Sequence, residues 1–294
     1  MSPAETVRVR AHAKVNLDLR VLGRRADGYH EIRTLFQTLA LHDTLVVSRG
    51  AGALRITSND PGVPAGPSNL VWKAARLVWR ASGRAGAPRG LTVHIVKRIP
   101  MQAGLGGGSS DAAAALQALN RLWRAKLSAG DLATLAATLG SDVPFFLLGG
   151  TALGVGRGEL VYPLPALPPR PVVVARPADG VSTAEAYAWL SARGAAGAAR
   201  PRRLRVPWPP YEVSVRNDFE PAVFPRRPGA ARLYRMLLRA GARPAMLSGS
   251  GSAVFGLFET EREARRAAGL VREAGADVWE TRLAARPRGG RRTG

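Results

Sequence analysis

The sequence contains no cysteine. Disulfides and thiolate metal sites are therefore excluded outright. Histidine is almost as scarce: His12, His30, His42 and His94 are too scattered to suggest a zinc site, and no metal-ligating set is read from the sequence. No apolar run approaches the ~18 residues that a membrane-spanning helix needs. Residues 1–10 carry charge and a proline where a secretory leader needs an apolar stretch. The chain reads as soluble, uncleaved and cytoplasmic, with no membrane partner.

Acidic residues are also few, 21 against 43 basic ones, for a net charge of +22. Such an excess invites a nucleic-acid partner. The arginines are spread over every segment, however, and lysine occurs only at positions 14, 73, 97 and 126, so there is no concentrated binding stripe. The densest basic runs, 200–205 and 286–292, lie in Pro-, Gly- and Ala-rich stretches and read as a loop and a frayed tail. The charge is taken as solvated surface that draws in anionic substrates, with no nucleic-acid partner.

At 294 residues the chain is long enough for two domains. Alternating segments at 7–10, 15–21 and 44–48 read as strands joined by turns at 24–28 and 41–43. Asn69 caps a helical stretch carrying Leu70, Ala74, Leu77 and Val78. Residues 91–97 alternate as a strand and run through Pro100 into a glycine-rich loop, after which Ala112, Ala115, Leu116, Leu119, Leu122 and Trp123 form one helical stripe beginning near Gly108. The proline-dominated stretch 163–171 is the expected link between domains over 1–162 and 172–284, with 285–294 as a basic tail. Beyond the link, 172–175 reads as a buried strand, 183–193 and 230–240 as helices, and 253–258, 261–274 and 277–282 as strand, helix, strand. The whole is α+β, with antiparallel sheet favoured because the β segments cluster.

The strongest signal is Gly104, Leu105, Gly106, Gly107, Gly108, Ser109 and Ser110, directly after Pro100 and before a helix. Glycines allow the backbone conformations and close approach that let several N–H groups converge on a phosphate. The helix that follows adds about half a positive charge at the same point. Ser109 and Ser110 supply hydroxyls that reach the phosphates or a magnesium ion held by them. No lysine follows the glycines as a Walker loop requires. Ser109 stands where a dinucleotide fingerprint needs glycine. The His-Arg-Asp and Asp-Phe-Gly motifs of protein kinases are absent.

Two further segments are less specific alone. Asp142 follows Ser141 and precedes an apolar run, which suits a helix cap as well as a partly desolvated base that a cation such as Lys14 would keep ionised. The segment 247–254, with Gly249 and Ser250, suits an ordinary turn and a phosphate-facing loop equally. Asp27-Gly28 is a turn, beside which Tyr29 offers a ring for stacking and His30 offers donors and acceptors.

Taken together, these three motifs in this order resemble the galactokinase, homoserine kinase and mevalonate kinase (GHMP) superfamily. The run at 13–17, residues 27–31, Phe36-Gln37, Asp43, Asn69-Leu70, 104–113, 141–146 and 247–254 most resembles its bacterial members that phosphorylate the 2-hydroxyl of a cytidine diphosphate sugar-alcohol, methylerythritol, on the non-mevalonate route to isoprenoids. The resemblance runs from about Val7 to about Arg282. It implies an N-terminal ribosomal-protein-S5-like domain, a C-terminal ferredoxin-like domain and an active site in the cleft between them. ATP is then the phosphoryl donor, with Mg2+ accompanying it, and the protein is a monomer or weak homodimer acting on small molecules. Asp142 would be the base and Lys14 would orient it and steady the transferring group. Asn16, Tyr29, His30 and Thr183 would bind the substrate, with Tyr29 stacked on the cytosine. Asn69, Lys97, Pro100, the loop Gly104 to Ser110, Gly249 and Ser250 would bind ATP. Met101-Gln102 departs from the smaller residues usual there. Siblings acting on mevalonate, homoserine or a sugar, and a basic nucleic-acid-binding module of S5-like fold, are the competing readings; residues 27–31 with Asn16 argue against the former, and the joint presence of all three loops against the latter.

Overall fold

The structure, a computed structural model, describes residues 6–193, 199–209 and 212–286. It forms two compact units: the described parts of Met1–Ala13, His42–Pro100 and Gly106–Leu148, and those of Lys14–Leu41, Met101–Leu105 and Gly149–Gly294. Up to residue 148 the elements are β1 (Thr6–Arg24), β2 (His30–Ala53), β3 (Arg55–Ser58), α1 (Leu70–Ala81), β4 (Arg89–Val96), α2 (Gly107–Leu122), α3 (Ala129–Leu139) and α4 (Val143–Leu148). The remainder are β5 (Thr151–Val155), β6 (Leu160–Pro163), β7 (Pro171–Arg176), α5 (Thr183–Arg193), β8 (Arg202–Arg205), β9 (Glu212–Val215), α6 (Glu220–Val223), α7 (Pro228–Arg239), β10 (Ala245–Leu247), β11 (Val254–Leu257), α8 (Glu261–Glu273) and β12 (Asp277–Arg282).

In the first unit, β4 pairs antiparallel with residues 44–53 of β2 and parallel with β3. Leu45, Val47, Leu91, Val93 and Ile95 point from this sheet into a core completed by α1, α2, α3 and α4. Alanine dominates α2, and Ala112 to Ala115, Leu116, Ala118 and Leu119 are all buried, as befits a helix with neighbours on several sides. Asn69 caps α1 by accepting the Val71 N–H at 2.8 Å, as its sequence position predicts.

In the second unit, β5 pairs with residues 34–37 of β2 and with β6. A separate antiparallel sheet runs in the order β10, β11, β7, β12, with α7 and α8 packed on it. Val173, Ala175, Leu233, Leu237, Val254, Ala264 and Val271 fill that interface.

Three sequence readings need correction. The two segments at 7–10 and 15–21 are one strand, β1, because nothing between them breaks an extended chain. The turn expected at 41–43 lies inside β2, where Asp43 is wholly buried and accepts backbone N–H groups instead of capping a turn. Part of the basic run 200–205 is the strand β8, paired with β9, and Arg202 is drawn inward by Glu220 at 2.6 Å. Antiparallel pairing prevails among the named strands as expected, with β3 and β4 paired in parallel. Residues 163–171 lie within the second unit, where Leu167 is buried and its N–H donates to the Thr151 hydroxyl at 3.2 Å. Of the expected basic tail, 287–294 lie outside the described residues.

Candidate active site

The two-residue period of β1 puts Ala13, Val15, Leu17 and Leu19 on one face and Lys14, Asn16 and Asp18 on the other. All seven are buried, so the second face is a polar row shielded from water. Burial obliges such groups to find partners. The Lys14 ammonium donates to Asn16 Oδ1 at 2.7 Å. Asn16 Nδ2 donates to the Thr34 hydroxyl at 2.7 Å, which in turn donates to the Asp18 carbonyl at 2.7 Å. This chain fixes the orientation of the Asn16 amide, because its oxygen faces the cation and its nitrogen faces the hydroxyl. Lys14 Nζ also lies 5.7 Å from the centre of the Phe36 ring.

Two glycine segments close on this row within the same unit. The Lys14 N–H donates to the Leu105 carbonyl at 3.0 Å, and the Ser248 hydroxyl donates to the Gly104 carbonyl at 3.0 Å. A Cβ on Gly249 would stand 3.4 Å from Lys14 Nζ and 3.5 Å from Asn16 Oδ1. Gly104 has φ +74°, and the Ser248 carbonyl occupies the place a Cβ would take. Gly104 is thus a glycine for packing as well as for any phosphate. Thr183 and Ser250 hydroxyls lie 3.1 Å apart. Lys14, Asn16, Gly104, Leu105 and Gly249 are therefore one constellation.

The other half of the glycine loop belongs to the first unit. Gly106 caps α2 in the left-handed conformation, φ 70°, and the first helical hydrogen bond runs from the Ser110 N–H to the Gly106 carbonyl at 2.8 Å. The preceding N–H groups, of Gly107, Gly108 and Ser109, lie in the first turn, whose donors have no acceptor within the helix. Gly108 is exposed, and a Cβ there would meet only Leu70, at 3.8 Å. Ser110 is buried and Ser109 and Pro100 are half-buried.

Beneath this turn lies a charged cluster that the sequence reading did not foresee. Lys97 Nζ donates to Asp43 at 2.5 Å and to Asp111 at 2.9 Å, with all three side chains nearly excluded from water. Asp43 Oδ1 accepts the N–H groups of Arg98 and Ile99 at 2.6 and 2.9 Å, whereas the buried Oδ1 of Asp111 has no hydrogen-bond partner. Burial, opposed by Lys97 and reinforced by Asp43, pushes the Asp111 carboxyl up to about 7. Burial would lower the Lys97 ammonium, but the carboxylates of Asp111 and Asp43 outweigh it and hold its pKa above the ordinary value. A Cβ on Gly107 would stand 3.2 Å from that ammonium. Lys97, expected at the nucleotide, thus has its charge turned to two acids below the helix. Asn69, expected there too, also spends its Nδ2 on the Pro64 carbonyl, at 2.6 Å. Asp142 is half-buried between the glycine that ends α3 and the first residue of α4.

Also in the second unit, His30 stacks on Tyr187 with ring centres 4.6 Å apart, and Tyr187 meets Phe219 edge-on at 4.8 Å. Burial, with help from Arg24, lowers the pKa of His30. Tyr29 is exposed, and the Arg157 guanidinium lies 4.7 Å over its ring. Tyr187 was missed because an aromatic on a helix reads as core unless its neighbour in space is known.

Among the described residues no group of three acids or histidines could hold a metal ion, and Asp43 and Asp111 share the Lys97 ammonium. No helix of the described residues is long and apolar enough to cross a membrane.

Comparison with known proteins places this geometry. The model of the GHMP kinases N terminal domain matches residues 69–150, and that of GHMP kinases C terminal matches 212–277. The 4-diphosphocytidyl-2-C-methyl-D-erythritol kinase of Solibacter usitatus is 45% identical over 284 residues, covering 93% of this chain and 88% of the relative. The enzyme of that name from Symbiobacterium thermophilum is 41% identical, with 93% and 98% covered. A crystal structure of 4-(cytidine 5'-diphospho)-2C-methyl-D-erythritol kinase superposes with TM-score 0.77 at 39% identity, covering 97% of this chain and all of that one. Homoserine kinase from Cytophaga hutchinsonii shares the fold, with TM-score 0.67 at 18% identity.

Proposed function

The chain belongs to the 4-diphosphocytidyl-2-C-methyl-D-erythritol kinases of the GHMP kinase family, and on that premise we propose that it transfers the γ-phosphoryl group of ATP to the 2-hydroxyl of 4-(cytidine 5'-diphospho)-2-C-methyl-D-erythritol. The two-domain GHMP fold and ATP-dependent kinase activity come with membership. The observation that carries the substrate is identity of 37–45% to kinases of this name over most of the chain.

The residues take the following roles in this reading. The Asp142 carboxylate accepts the proton of the acceptor hydroxyl while that oxygen bonds to the γ-phosphorus and ADP departs. Lys14 stabilises the transferring group, and Asn16 binds the acceptor beside it. Their support is the buried Lys14–Asn16–Thr34 chain, which sets an ammonium in a fixed direction before any substrate arrives. Phosphoryl transfer depends mainly on such positioning and charge stabilisation. Tyr29 and His30 hold the cytosine and Thr183 the rest of the acceptor. ATP binds the loop Gly104 to Ser110 through the free N–H groups that open α2, together with Pro100, Gly249 and Ser250; Asn69 and Lys97 shape that end of the site. Magnesium enters as the counter-ion of the ATP phosphates. We place the division between S5-like and ferredoxin-like parts at 163–171, and the working enzyme in the cytoplasm as a monomer or weak homodimer.

The test is ATP-dependent phosphorylation by the purified full chain, with the cytidylylated erythritol, mevalonate and homoserine as parallel acceptors. Turnover confined to the first supports the assignment; turnover of either other acceptor and not the first overturns it.

A further inference from the structure

Asn217 is wholly buried, and every polar atom of its amide is engaged. Its Nδ2 donates to the carbonyls of Leu247 and Gly249, at 2.9 and 2.7 Å, and its Oδ1 accepts the Phe219 N–H at 3.0 Å. Its flanking residues are zipped to β1. The Leu19 N–H donates to the Arg216 carbonyl at 2.7 Å, the Asp218 N–H returns to the Leu19 carbonyl at 2.9 Å, and the Arg216 N–H donates to Asp18 at 2.8 Å. One strand thus carries Lys14 and Asn16 at one point and grips residues 216–218 a few positions on. Asn217 extends that grip to the turn whose Gly249 faces Lys14 Nζ and Asn16 Oδ1.

We propose that Asn217 is a positioning residue for phosphoryl transfer: it ties the 247–249 turn to β1 and so fixes the wall against which the Lys14 ammonium and the Asn16 amide are held. The inference rests on the reading that Lys14 and Asn16 serve the acceptor hydroxyl. A carboxamide is required chemically, because two carbonyl oxygens must be met by two N–H donors while the Phe219 N–H must be met by an acceptor. Release of the turn removes one wall of a pre-set geometry, and displacements of about 1 Å in such sites cost on the order of 10²-fold in rate.

The experiment compares the full chain with Asn217→Ala, Asn217→Asp, Lys14→Ala and the Asn217→Ala/Lys14→Ala pair, each measured as kcat per folded molecule with the cytidylylated acceptor. Asn217→Ala is expected to lower kcat on the order of 10–10²-fold with a smaller change in the KM for ATP. Combined with Lys14→Ala it should add almost nothing, because it acts through that lysine. Asn217→Asp keeps the shape but sets oxygens against carbonyls, so its rate relative to the unaltered chain should rise as pH falls and the introduced carboxyl gains a proton to donate. Near-normal kcat for Asn217→Ala, a loss that adds in full to that of Lys14→Ala, or an Asn217→Asp deficit indifferent to pH would overturn the proposal. So would collapse of the fold in both single Asn217 variants, which would leave the residue a structural one. Near-normal turnover by Lys14→Ala would instead overturn the underlying assignment of the lysine.

Discussion

Lys97 and Asp111 form an ion pair 2.9 Å long with both side chains almost wholly buried, directly under the first turn of α2. A second acid, Asp43, shares the same ammonium at 2.5 Å. Removing the cation would leave two buried acids without the donor they share. Loss of one partner of a buried pair costs about 3–5 kcal/mol. Lys97→Met, which keeps the stem and discards the charge, should therefore lower the unfolding free energy in urea by about that much at neutral pH. A loss below about 1 kcal/mol, the range of exposed pairs, would show that water reaches the cluster.

Within this cluster two backbone N–H groups reach Asp43 Oδ1 and no hydrogen-bond donor meets Asp111 Oδ1. With its carboxyl pushed up to about 7 from an ordinary 3.8, the folded chain keeps a proton that the unfolded chain has lost. The stability this group contributes is thus fully present below the unfolded value and lost as pH rises through the folded one. Asp111→Asn fixes the neutral state. From about pH 4 to about pH 7 the stability of the unaltered chain should fall relative to that variant. Parallel curves over this range would mean that Asp111 is ionised throughout.

Gly104 and Gly108 belong to one loop but are glycines for different reasons. Gly104→Ala meets the Ser248 carbonyl, a backbone atom that cannot swing aside, in a conformation with φ +74°. The left-handed backbone alone costs an ordinary residue about 1–2 kcal/mol, so this variant should lose more than that in thermal unfolding. Gly108→Ala has space, its nearest neighbour being Leu70 at 3.8 Å, and sits in a helix. It should gain up to about 1 kcal/mol in stability. Because Gly108 presents its N–H to the nucleotide in the proposed reading, the same change should raise the KM for ATP several-fold. A stable Gly108→Ala with an unaltered KM would move the phosphates off this residue.

Local signals in the chain were legible where they were sufficient. The cap at Asn69, the strand through Leu91, Val93 and Ile95, the stripe of α2 and the helix Thr183–Arg193 stand where periodicity and capping chemistry put them. What escaped were the long-range uses of polar residues. Asp43 looked like part of a turn because a buried acid is improbable until Lys97, more than fifty positions on, is brought beside it. Arg202 looked like a solvated charge until Glu220 and Tyr234 took its guanidinium at 2.6 and 2.8 Å. The motif at Gly104 was visible, but the backbone of Ser248 that makes its glycine obligatory for packing was not.

Lys14 offers the most direct test of the proposed chemistry. Its ammonium is held 2.7 Å from Asn16 Oδ1, with the Gly249 backbone close on one side and the Phe36 ring 5.7 Å away. A guanidinium is planar and wider, so Lys14→Arg cannot place a charge at that point without displacing the turn. Loss of a preorganised cationic donor at a transferring group typically costs on the order of 10²–10³-fold in kcat. Lys14→Arg should therefore fall nearly as far as Lys14→Ala, and Asp142→Asn, which abolishes the proposed base, by about 10²–10⁴-fold. Single-turnover rates with saturating ATP and cytidylylated acceptor separate these losses from product release. If Lys14→Arg retained more than about a tenth of the rate, against the ~10²-fold loss expected, charge alone would suffice and the fixed geometry of the Lys14–Asn16 pair would have no catalytic consequence.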